Sequence, residues 1–261
     1  MKSLARQVLY KIPGYLDWRL RQTMPLAPWK FVAAGQPYEL LVPEDWVNKI
    51  RNDDGKGKLT GIDREGRYEA ALCDMFISKL SDRTVLLDVG SAQGLYSVIA
   101  SRTCPPSQIY CFEPDPASLW VLRLNNNRYC GGKLNIVPQA VGSGKEKGTV
   151  SLDDYCARHG VKPTLVKMDI EGAEILALAG MRGICTKYRP VILLEFHERK
   201  LKQQWKADPQ DILKMLRSYG YRLRFNGHHW HLVQAAGQKD PHWHDQLPNE
   251  VNCAVLAEPE G

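Results

Sequence analysis

The sequence predicts an α/β domain built on a mostly parallel, doubly wound sheet with an antiparallel strand at its C-terminal edge. From about residue 64 onward, short apolar runs that end in an acidic residue alternate with segments of helical periodicity. Uninterrupted apolar runs of this kind are typical of parallel strands that are buried on both faces. After about residue 220 the alternation stops, and strand-like segments follow one another without an intervening helix. These patterns indicate parallel strands joined by helices, followed by an antiparallel edge.

The predicted elements follow one another in a regular order along this region. Apolar residues at helical spacing predict a first helix over 65–80. Strands are predicted at 85–89, 109–113, near 134–141, 165–169 and 190–196, and helices at 93–102, 116–128, 172–181 and 209–219. Asp208 and Pro209 suit the cap and first turn of the last helix. The final strands are predicted at 221–225, 230–233 and 251–257, the first two joined by a tight turn at Asn226-Gly227.

The first part of the chain has a different pattern, which predicts two regions: an N-terminal basic arm or cap at 1–63 and a main domain at 64–261. Basic residues alternate with apolar ones over 1–24, and the prolines that follow favour extended chain. The interpretation we favour is that this arm packs on the main domain. The alternative is that residues 1–24 make a peripheral contact with a membrane surface, as basic amphipathic segments do.

Composition limits the class of protein without naming a function. A chain of 261 residues is long enough to bury a full core, and its net charge of +6 suits an anionic partner of any kind. The 7 cysteines include no CxxC pair, so neither a disulfide framework nor a zinc knuckle is indicated. No apolar stretch is long enough to span a bilayer. A cytoplasmic location is therefore expected, with peripheral membrane contact as the alternative.

The clearest functional signal is the segment Asp88-Val-Gly-Ser-Ala-Gln-Gly94, which follows a buried strand and begins a helix. In an open α/β sheet such a turn lies at the edge where ligands bind. Gly90 and Gly94 are expected to let the backbone approach a ligand closely. A dinucleotide fingerprint has a third glycine where Ala92 stands, and Asp88 would repel a pyrophosphate. The pattern favours the positively charged S-adenosylmethionine instead.

Glu113 ends the second predicted strand and is expected to accept hydrogen bonds from ribose hydroxyls. Nicotinamide enzymes use an acidic residue in the same way, so Glu113 by itself does not choose between the two cofactors. A nicotinamide enzyme therefore remains a distant alternative at this point.

Five motifs in order resemble the FkbM family of S-adenosylmethionine-dependent methyltransferases: the loop at 88–94, Phe112-Glu-Pro-Asp115, Ser151-Leu-Asp-Asp-Tyr155, Lys167-Met-Asp-Ile-Glu-Gly-Ala-Glu174 and Glu195-Phe-His197. The resemblance covers about residues 64–257. It implies a Rossmann-like class I methyltransferase fold with strand order 3-2-1-4-5-7-6, and O-methylation of a sugar or secondary-metabolite hydroxyl. The loop departs from the family's usual residues at Ser91, Ala92 and Gln93. Residues expected to contact the donor are Asp88, Gly90, Ser91, Gly94, Tyr96, Glu113, Pro114, Asp115, Ala140 and Asp169.

The catalytic candidates follow from the chemistry of methyl transfer, which is an in-line displacement on an activated donor. A sugar hydroxyl is a weak nucleophile, so a base beside it should help. The candidate bases at the carboxyl ends of the later strands are Asp169, Glu171, Glu195 and His197. His197 suits the role because a histidine titrates near neutrality, and Asp169 suits it because the implied strand order places it beside the first strand. The same side chains are an alternative cation site, but no spacing demands a metal and none is predicted.

Several interpretations of the acceptor stay open. The leading one is a hydroxyl of a sugar, glycan, glycolipid or secondary metabolite. The positive charge suggests an RNA or protein methyltransferase as an alternative, but Asp169-Ile-Glu-Gly172 stands where base-amine methyltransferases carry a Pro-Pro-aromatic turn, which disfavours nucleic acid. A non-catalytic S-adenosylmethionine-binding module is a third class. The His/Trp-rich loop at 235–250 is interpreted as an acceptor-side lid in which Trp243 stacks on a sugar, or as a plain exposed loop.

Overall fold

The computed structural model describes residues 19–20, 23–46, 69–197, 200–226, 245 and 252–261. The described strands are β1 (Leu26–Ala33), β2 (Gln36–Pro43), β3 (Leu86–Val89), β4 (Ile109–Phe112), β5 (Asn135–Val137), β6 (Ala140–Val141), β7 (Thr149–Val150), β8 (Leu165–Met168), β9 (Val191–His197), β10 (Tyr221–Asn226) and β11 (Asn252–Pro259). The described helices are α1 (Ala70–Ser78), α2 (Leu95–Ala100), α3 (Pro116–Tyr129), α4 (Leu152–His159), α5 (Glu174–Ala179), α6 (Arg182–Lys187) and α7 (Pro209–Ser218), with a 3₁₀ turn at Pro106–Gln108 and a π-helical turn at Leu201–Trp205. The predicted strand at 230–233, most of the basic arm, and the His/Trp-rich loop apart from Asp245 lie outside the described residues.

The central sheet has seven strands in the order β10-β11-β9-β8-β3-β4-β5. Numbered along the chain within this sheet, that order is 3-2-1-4-5-7-6 read from the other edge. Strand β3 pairs in parallel with β4 and β8, whereas β11 runs antiparallel to both of its neighbours, β9 and β10. The predicted fold class is therefore confirmed. The chain order reverses between β3 and β8, which is the switch point at which open α/β sheets bind ligands.

The apolar strands form because both faces of the sheet are covered. Every residue of β3 and β8 is buried. Their side chains alternate between the two faces, so that Leu87 and Val166 enter one core and Leu86 and Leu165 enter the other. The second core also holds α1, α2 and the β1–β2 hairpin. Both cores meet at the strands whose carboxyl ends carry the predicted site.

Two predicted elements are divided in the structure, one for a local reason and one because of a contact with a distant part of the chain. The strand predicted near 134–141 becomes β5 and β6, separated at Pro138, which has no N–H to continue the ladder. Strand β6 pairs with β7 in a separate two-stranded sheet. The helix predicted at 172–181 ends at Gly180, where a Cβ would lie 2.1 Å from the carbonyl oxygen of Gly142. A second short helix, α6, follows. Asp208 caps α7 by accepting a hydrogen bond from the Gln210 amide, as predicted.

The β1–β2 hairpin packs against the sheet domain. Trp29 and Phe31 are each 3% exposed and lie in the same core as residues of α1 and α2. The buried side chain of Asn125 in α3 accepts a hydrogen bond from the Leu41 amide at 2.9 Å and donates to the Leu41 and Gln93 carbonyls at 2.9 and 2.8 Å. This side chain therefore connects the hairpin to the loop that follows β3.

Candidate active site

The loop after β3 is shaped by contacts with its neighbours. The amides of Gly90 and Ser91 both donate to the Phe112 carbonyl at the end of β4. A Cβ on Gly90, which has a φ of +79°, would lie 1.9 Å from the Asp169 carbonyl oxygen, and one on Gly94 would lie 2.6 Å from Leu122. We expected these glycines to leave room for a ligand. The structure shows a second reason for them, because they let the loop pack on the end of β8 and on α3.

Asp88 lies beneath this loop and is only 1% exposed. Its Oδ2 accepts a hydrogen bond from the Ser97 hydroxyl at 2.5 Å. Burial raises the pKa of Asp88 to about 6, although the hydrogen bond from Ser97 and the charge of Lys167 both oppose that rise. The carboxyl group therefore holds α2 against β3, and its negative charge, when it is ionised, favours positive charge at the loop above it.

Glu113 holds the outer part of the loop. One of its carboxylate oxygens accepts from the Ala92 amide at 2.9 Å and the other from the Asp115 amide at 2.8 Å. Burial raises the pKa of Glu113 despite these two bonds. Each oxygen keeps a second lone pair, so the carboxylate can still accept from a ligand hydroxyl. Asp115 is used differently, because its side chain caps α3 by accepting from the Ser118 amide.

A buried polar cluster lies on the side of the sheet that faces α1 and α2. Lys167 is 1% exposed, and its Nζ lies 2.6 Å from Glu195 Oε1 and 4.5 Å from the centre of the Tyr96 ring. The Tyr96 hydroxyl donates to Glu69 at 3.1 Å. Burial lowers the pKa of Lys167, but the charges of Glu195 and Asp169 outweigh that effect and raise it above its usual value. Lys167 and Glu69 are not among the residues predicted from the sequence, and the one signal for Lys167 was a lysine inside a buried apolar strand.

A second polar cluster surrounds His197 at the end of β9. Its Nδ1 lies 3.6 Å from Glu174 Oε1 and 4.0 Å from Asp169 Oδ1, and its Nε2 lies 3.5 Å from Glu171 Oε2. Glu171 also forms an ion pair with Lys200. The chain between Asp169 and Glu174 turns sharply, with a φ of +57° at Glu171, a value that L residues seldom adopt.

The neighbouring carboxylates change the titration of this cluster. Burial and the charge of Glu195 raise the pKa of Asp169 above its ordinary value. Burial lowers the pKa of His197, but the approach of Glu174 and the charges of Asp169 and Glu171 outweigh it and raise that pKa. The shift of Asp169 moves its pKa toward the range in which a proton is exchanged readily at neutral pH.

Four buried polar atoms near the carboxyl ends of the strands have no hydrogen-bond partner within the described residues: Ser91 Oγ, Asp169 Oδ1, Glu174 Oε2 and His197 Nδ1. A buried polar group without a partner is costly, and nearly all such groups in folded proteins are satisfied by protein, water or a ligand. Ser91 follows β3, and Asp169 follows β8. Ser91 and Asp169 thus place unsatisfied polar atoms at the switch point, where a polar ligand would satisfy them.

The other residues predicted to contact the donor lie on three further parts of the chain. Pro114 is exposed in the turn between β4 and α3, and Ala140 is half-buried at the start of β6. Tyr96 lies in α2, where its ring packs edge-on against Phe76. Within the described part of the chain, no set of histidine, cysteine and acidic side chains is arranged to hold a metal ion. No helix in those same ranges is long and apolar enough to cross a membrane.

Comparisons with known proteins give a consistent result. The model of the methyltransferase FkbM domain matches residues 133–223. A curated relative, hexuronic acid methyltransferase AglP of Haloferax volcanii, is 26% identical over an alignment that covers 59% of this chain and 70% of the relative.

Similar solved structures include the methyltransferase FkbM from Methylobacillus flagellatus KT, with a TM-score of 0.47 and 18% identity, covering 68% of this chain and 44% of that one. This chain thus spans less than half of that protein. Another is precorrin-6y C5,15-methyltransferase from Geobacter metallireducens GS-15, with a TM-score of 0.47 and 17% identity, covering 80% of this chain and 96% of that one.

Proposed function

We propose that this chain, whose residues 133–223 match the FkbM methyltransferase domain, is a methyltransferase of that family and transfers the methyl group of S-adenosylmethionine to a hydroxyl group of a sugar or glycan. The observation that carries the proposal is the switch point between β3 and β8. There the loop after β3 packs directly on the Asp169 backbone, and the buried Ser91 hydroxyl and Asp169 carboxylate oxygen have no partner within the described residues.

The residues at this edge suit a cationic nucleoside donor. Asp88, Glu113 and Asp169 stand at or just beyond the ends of three adjacent strands, so their charges sum over one small region. Such a region attracts positive charge and repels a pyrophosphate. Glu113 would hold the ribose hydroxyls with its remaining lone pairs. S-adenosylmethionine supplies an already activated methyl group when it is bound.

Two of the candidate bases are already engaged with a cation. Glu195 is paired with the buried Lys167, and Glu171 is paired with Lys200. Within the described residues, neither Asp169 nor His197 forms an ion pair with a lysine or arginine, and each keeps a buried polar atom without a hydrogen-bond partner there. We therefore assign the role of base to His197, with Asp169 beside it orienting the ring and binding the donor.

The sugar acceptor is supported by the curated relative, whose name describes a hexuronic acid methyltransferase. At 26% identity the relative supports the chemical class of the acceptor and not its identity. The Asp169 side chain is 37% exposed, which leaves room for an acceptor hydroxyl to approach it from solvent. We propose an O-methyltransferase on that basis.

Donor and acceptor can be tested separately. Calorimetry should detect binding of S-adenosylhomocysteine and no binding of NAD, and Asp169→Asn should weaken the former. Absence of heat with S-adenosylhomocysteine would contradict the donor assignment.

The acceptor is tested by incubating the protein with methyl-labelled donor and either uronic-acid glycosides, neutral glycans, lipids or RNA. Label is expected in the glycans, in an ether linkage that resists mild base. Label that enters only RNA, or only a base-labile ester, would overturn the hydroxyl acceptor.

A further inference from the structure

Glu174 is buried in a way that the start of a helix does not require. It is the first residue of α5, and an acid in that position is favoured by the helix dipole while it remains in solvent. Its side chain is 0% exposed. Burying a carboxylate is costly unless its oxygens find partners. This carboxylate therefore has a role beyond beginning the helix.

The contacts of Glu174 point to His197. One oxygen, Oε1, accepts from the Gly172 amide at 3.0 Å and lies 3.6 Å from His197 Nδ1. The other oxygen, Oε2, is buried and has no partner within the described residues, and the same is true of His197 Nδ1. A buried carboxylate with one unsatisfied oxygen thus lies beside an unsatisfied ring nitrogen, with its other oxygen 3.6 Å from that nitrogen.

The two nitrogens of the His197 ring have different surroundings. Nδ1 faces inward toward Glu174 and Asp169, whereas Nε2 faces Glu171, whose side chain is 59% exposed. A proton on Nδ1 would be shared with the buried carboxylate of Glu174 and with that of Asp169. The lone pair of neutral imidazole would then lie on Nε2, on the open side.

We propose that Glu174 is a positioning residue that keeps the neutral His197 ring protonated on Nδ1 and so presents Nε2 as the base. The inference rests on the proposed function. As the bond between the acceptor oxygen and the methyl carbon forms, the O–H bond breaks and its proton passes to Nε2. The carbon–sulfur bond breaks with its electron pair left on sulfur.

The charged groups around the ring set the expected pH dependence. Asp169 faces it from the end of β8, Glu171 from the following turn and Glu174 from α5, while Lys200 offsets the charge of Glu171. All three carboxylates favour the protonated ring, so removing one lowers the pKa of His197. Because a base acts when it is unprotonated, the acid limb of the activity profile should then move to lower pH.

The decisive experiment is NMR titration of protein labelled with ¹⁵N in its histidines, with His197 assigned from its absence in His197→Gln. The neutral ring is expected to carry its proton on Nδ1 in the unaltered protein. Glu174→Gln keeps an oxygen for the Gly172 amide but brings an NH₂ donor beside the ring. It should lower the pKa of His197 by about one unit and move the proton to Nε2.

The kinetic expectation is a loss of kcat of about 10- to 100-fold in Glu174→Gln at high pH, where the ring is neutral in both proteins. Glu174→Asp keeps the carboxylate and should restore part of the rate. Asp154→Asn is the matched control, because Asp154 is an exposed acid in the first turn of α4. It should move neither the pKa of His197 nor kcat.

A proton on Nε2 in the unaltered protein would overturn the proposal, and so would an unchanged His197 pKa in both Glu174 variants. The tautomer measurement on the unaltered protein decides the matter even if Glu174→Gln does not fold. The titration needs neither donor nor acceptor. If the expected tautomer is found and no methyl group is transferred, the proposed function fails while the orientation of His197 by Glu174 stands.

Discussion

The two halves of the candidate site differ in how their polar groups are satisfied. In the half formed by β3 and β4, the side chains of Asp88 and Glu113 accept hydrogen bonds from Ser97 and from backbone amides. In the half formed by β8 and β9, Asp169, Glu174 and His197 each keep a buried polar atom without a partner within the described residues. Apart from the buried Ser91 hydroxyl, which has no partner within the described residues, the first half is a pre-formed support, and the second is built to engage a ligand or to move a proton.

This difference predicts which mutations should change stability and which should change activity. A side chain that is fully bonded inside the protein holds the shape of the site, so removing it should affect stability and donor binding together. A side chain with an unsatisfied atom depends on a ligand, so its removal should change activity more than stability. Four variants of the supporting groups test the first of these expectations.

Gly90→Ala should have the largest effect on donor binding, because Gly90 lies where the two halves of the site meet. The added Cβ would come within 1.9 Å of the Asp169 carbonyl oxygen at a φ of +79°. We expect donor affinity to fall by about 100-fold or more, because the backbone at Gly90 or at Asp169 must shift to relieve the clash, and either shift displaces one half of the site. Calorimetry with S-adenosylhomocysteine measures it. Gly131→Ala is the matched control, because its φ of +63° is similar and nothing lies within 4 Å of the added Cβ.

Lys167→Met should destabilise the fold by about 3 to 5 kcal/mol, because it leaves Glu195 buried without its cation. Urea denaturation followed by circular dichroism measures the change. The double variant Lys167→Met/Glu195→Gln is the control, since it removes both charges and should recover part of the loss. Equal stabilities for the single and double variants would show that the ion pair does not support this part of the sheet.

Asp88→Asn should change how stability depends on pH. The pKa of Asp88 is raised from 3.8 to about 6, so the folded protein holds this proton more tightly than the unfolded chain. The contribution of Asp88 to stability therefore falls as pH rises from about 4 to 6. The asparagine has no charge to bury, and we expect the variant to be more stable than the unaltered protein at pH 7, by about 2 to 3 kcal/mol.

Thermal unfolding of both proteins between pH 4 and pH 7 checks this result. The difference in stability should grow across that interval and level off above it. A constant difference would contradict the raised pKa of Asp88.

Asn125→Ala should have the smallest effect, about 1 to 2 kcal/mol, because it leaves the Leu41 amide and the Gln93 carbonyl without their partner. Donor binding should weaken slightly, since Gln93 belongs to the loop after β3. Thermal unfolding and calorimetry measure the two changes. Asn127→Ala, an exposed position on the same helix, is expected to alter neither.

The positions of the strands and helices, and the burial of the strands, follow from the residue pattern alone. Continuous apolar runs predicted β3, β4, β8 and β9, because a strand that is buried on both faces needs consecutive apolar residues. The cap of α7 at Asp208 was equally local. The strand order came from the resemblance of the motifs to a family, and it agrees with the observed sheet.

Which polar side chains contact one another is visible only in the folded chain. Lys167 and Glu195 are 28 positions apart, and Glu174 and His197 lie on different elements, so no local pattern indicates either contact. The break at Gly180 and the reason for Gly90 depend in the same way on carbonyl groups elsewhere in the chain. Periodicity encodes which faces are buried, whereas the pairing of buried charges depends on how those faces are brought together.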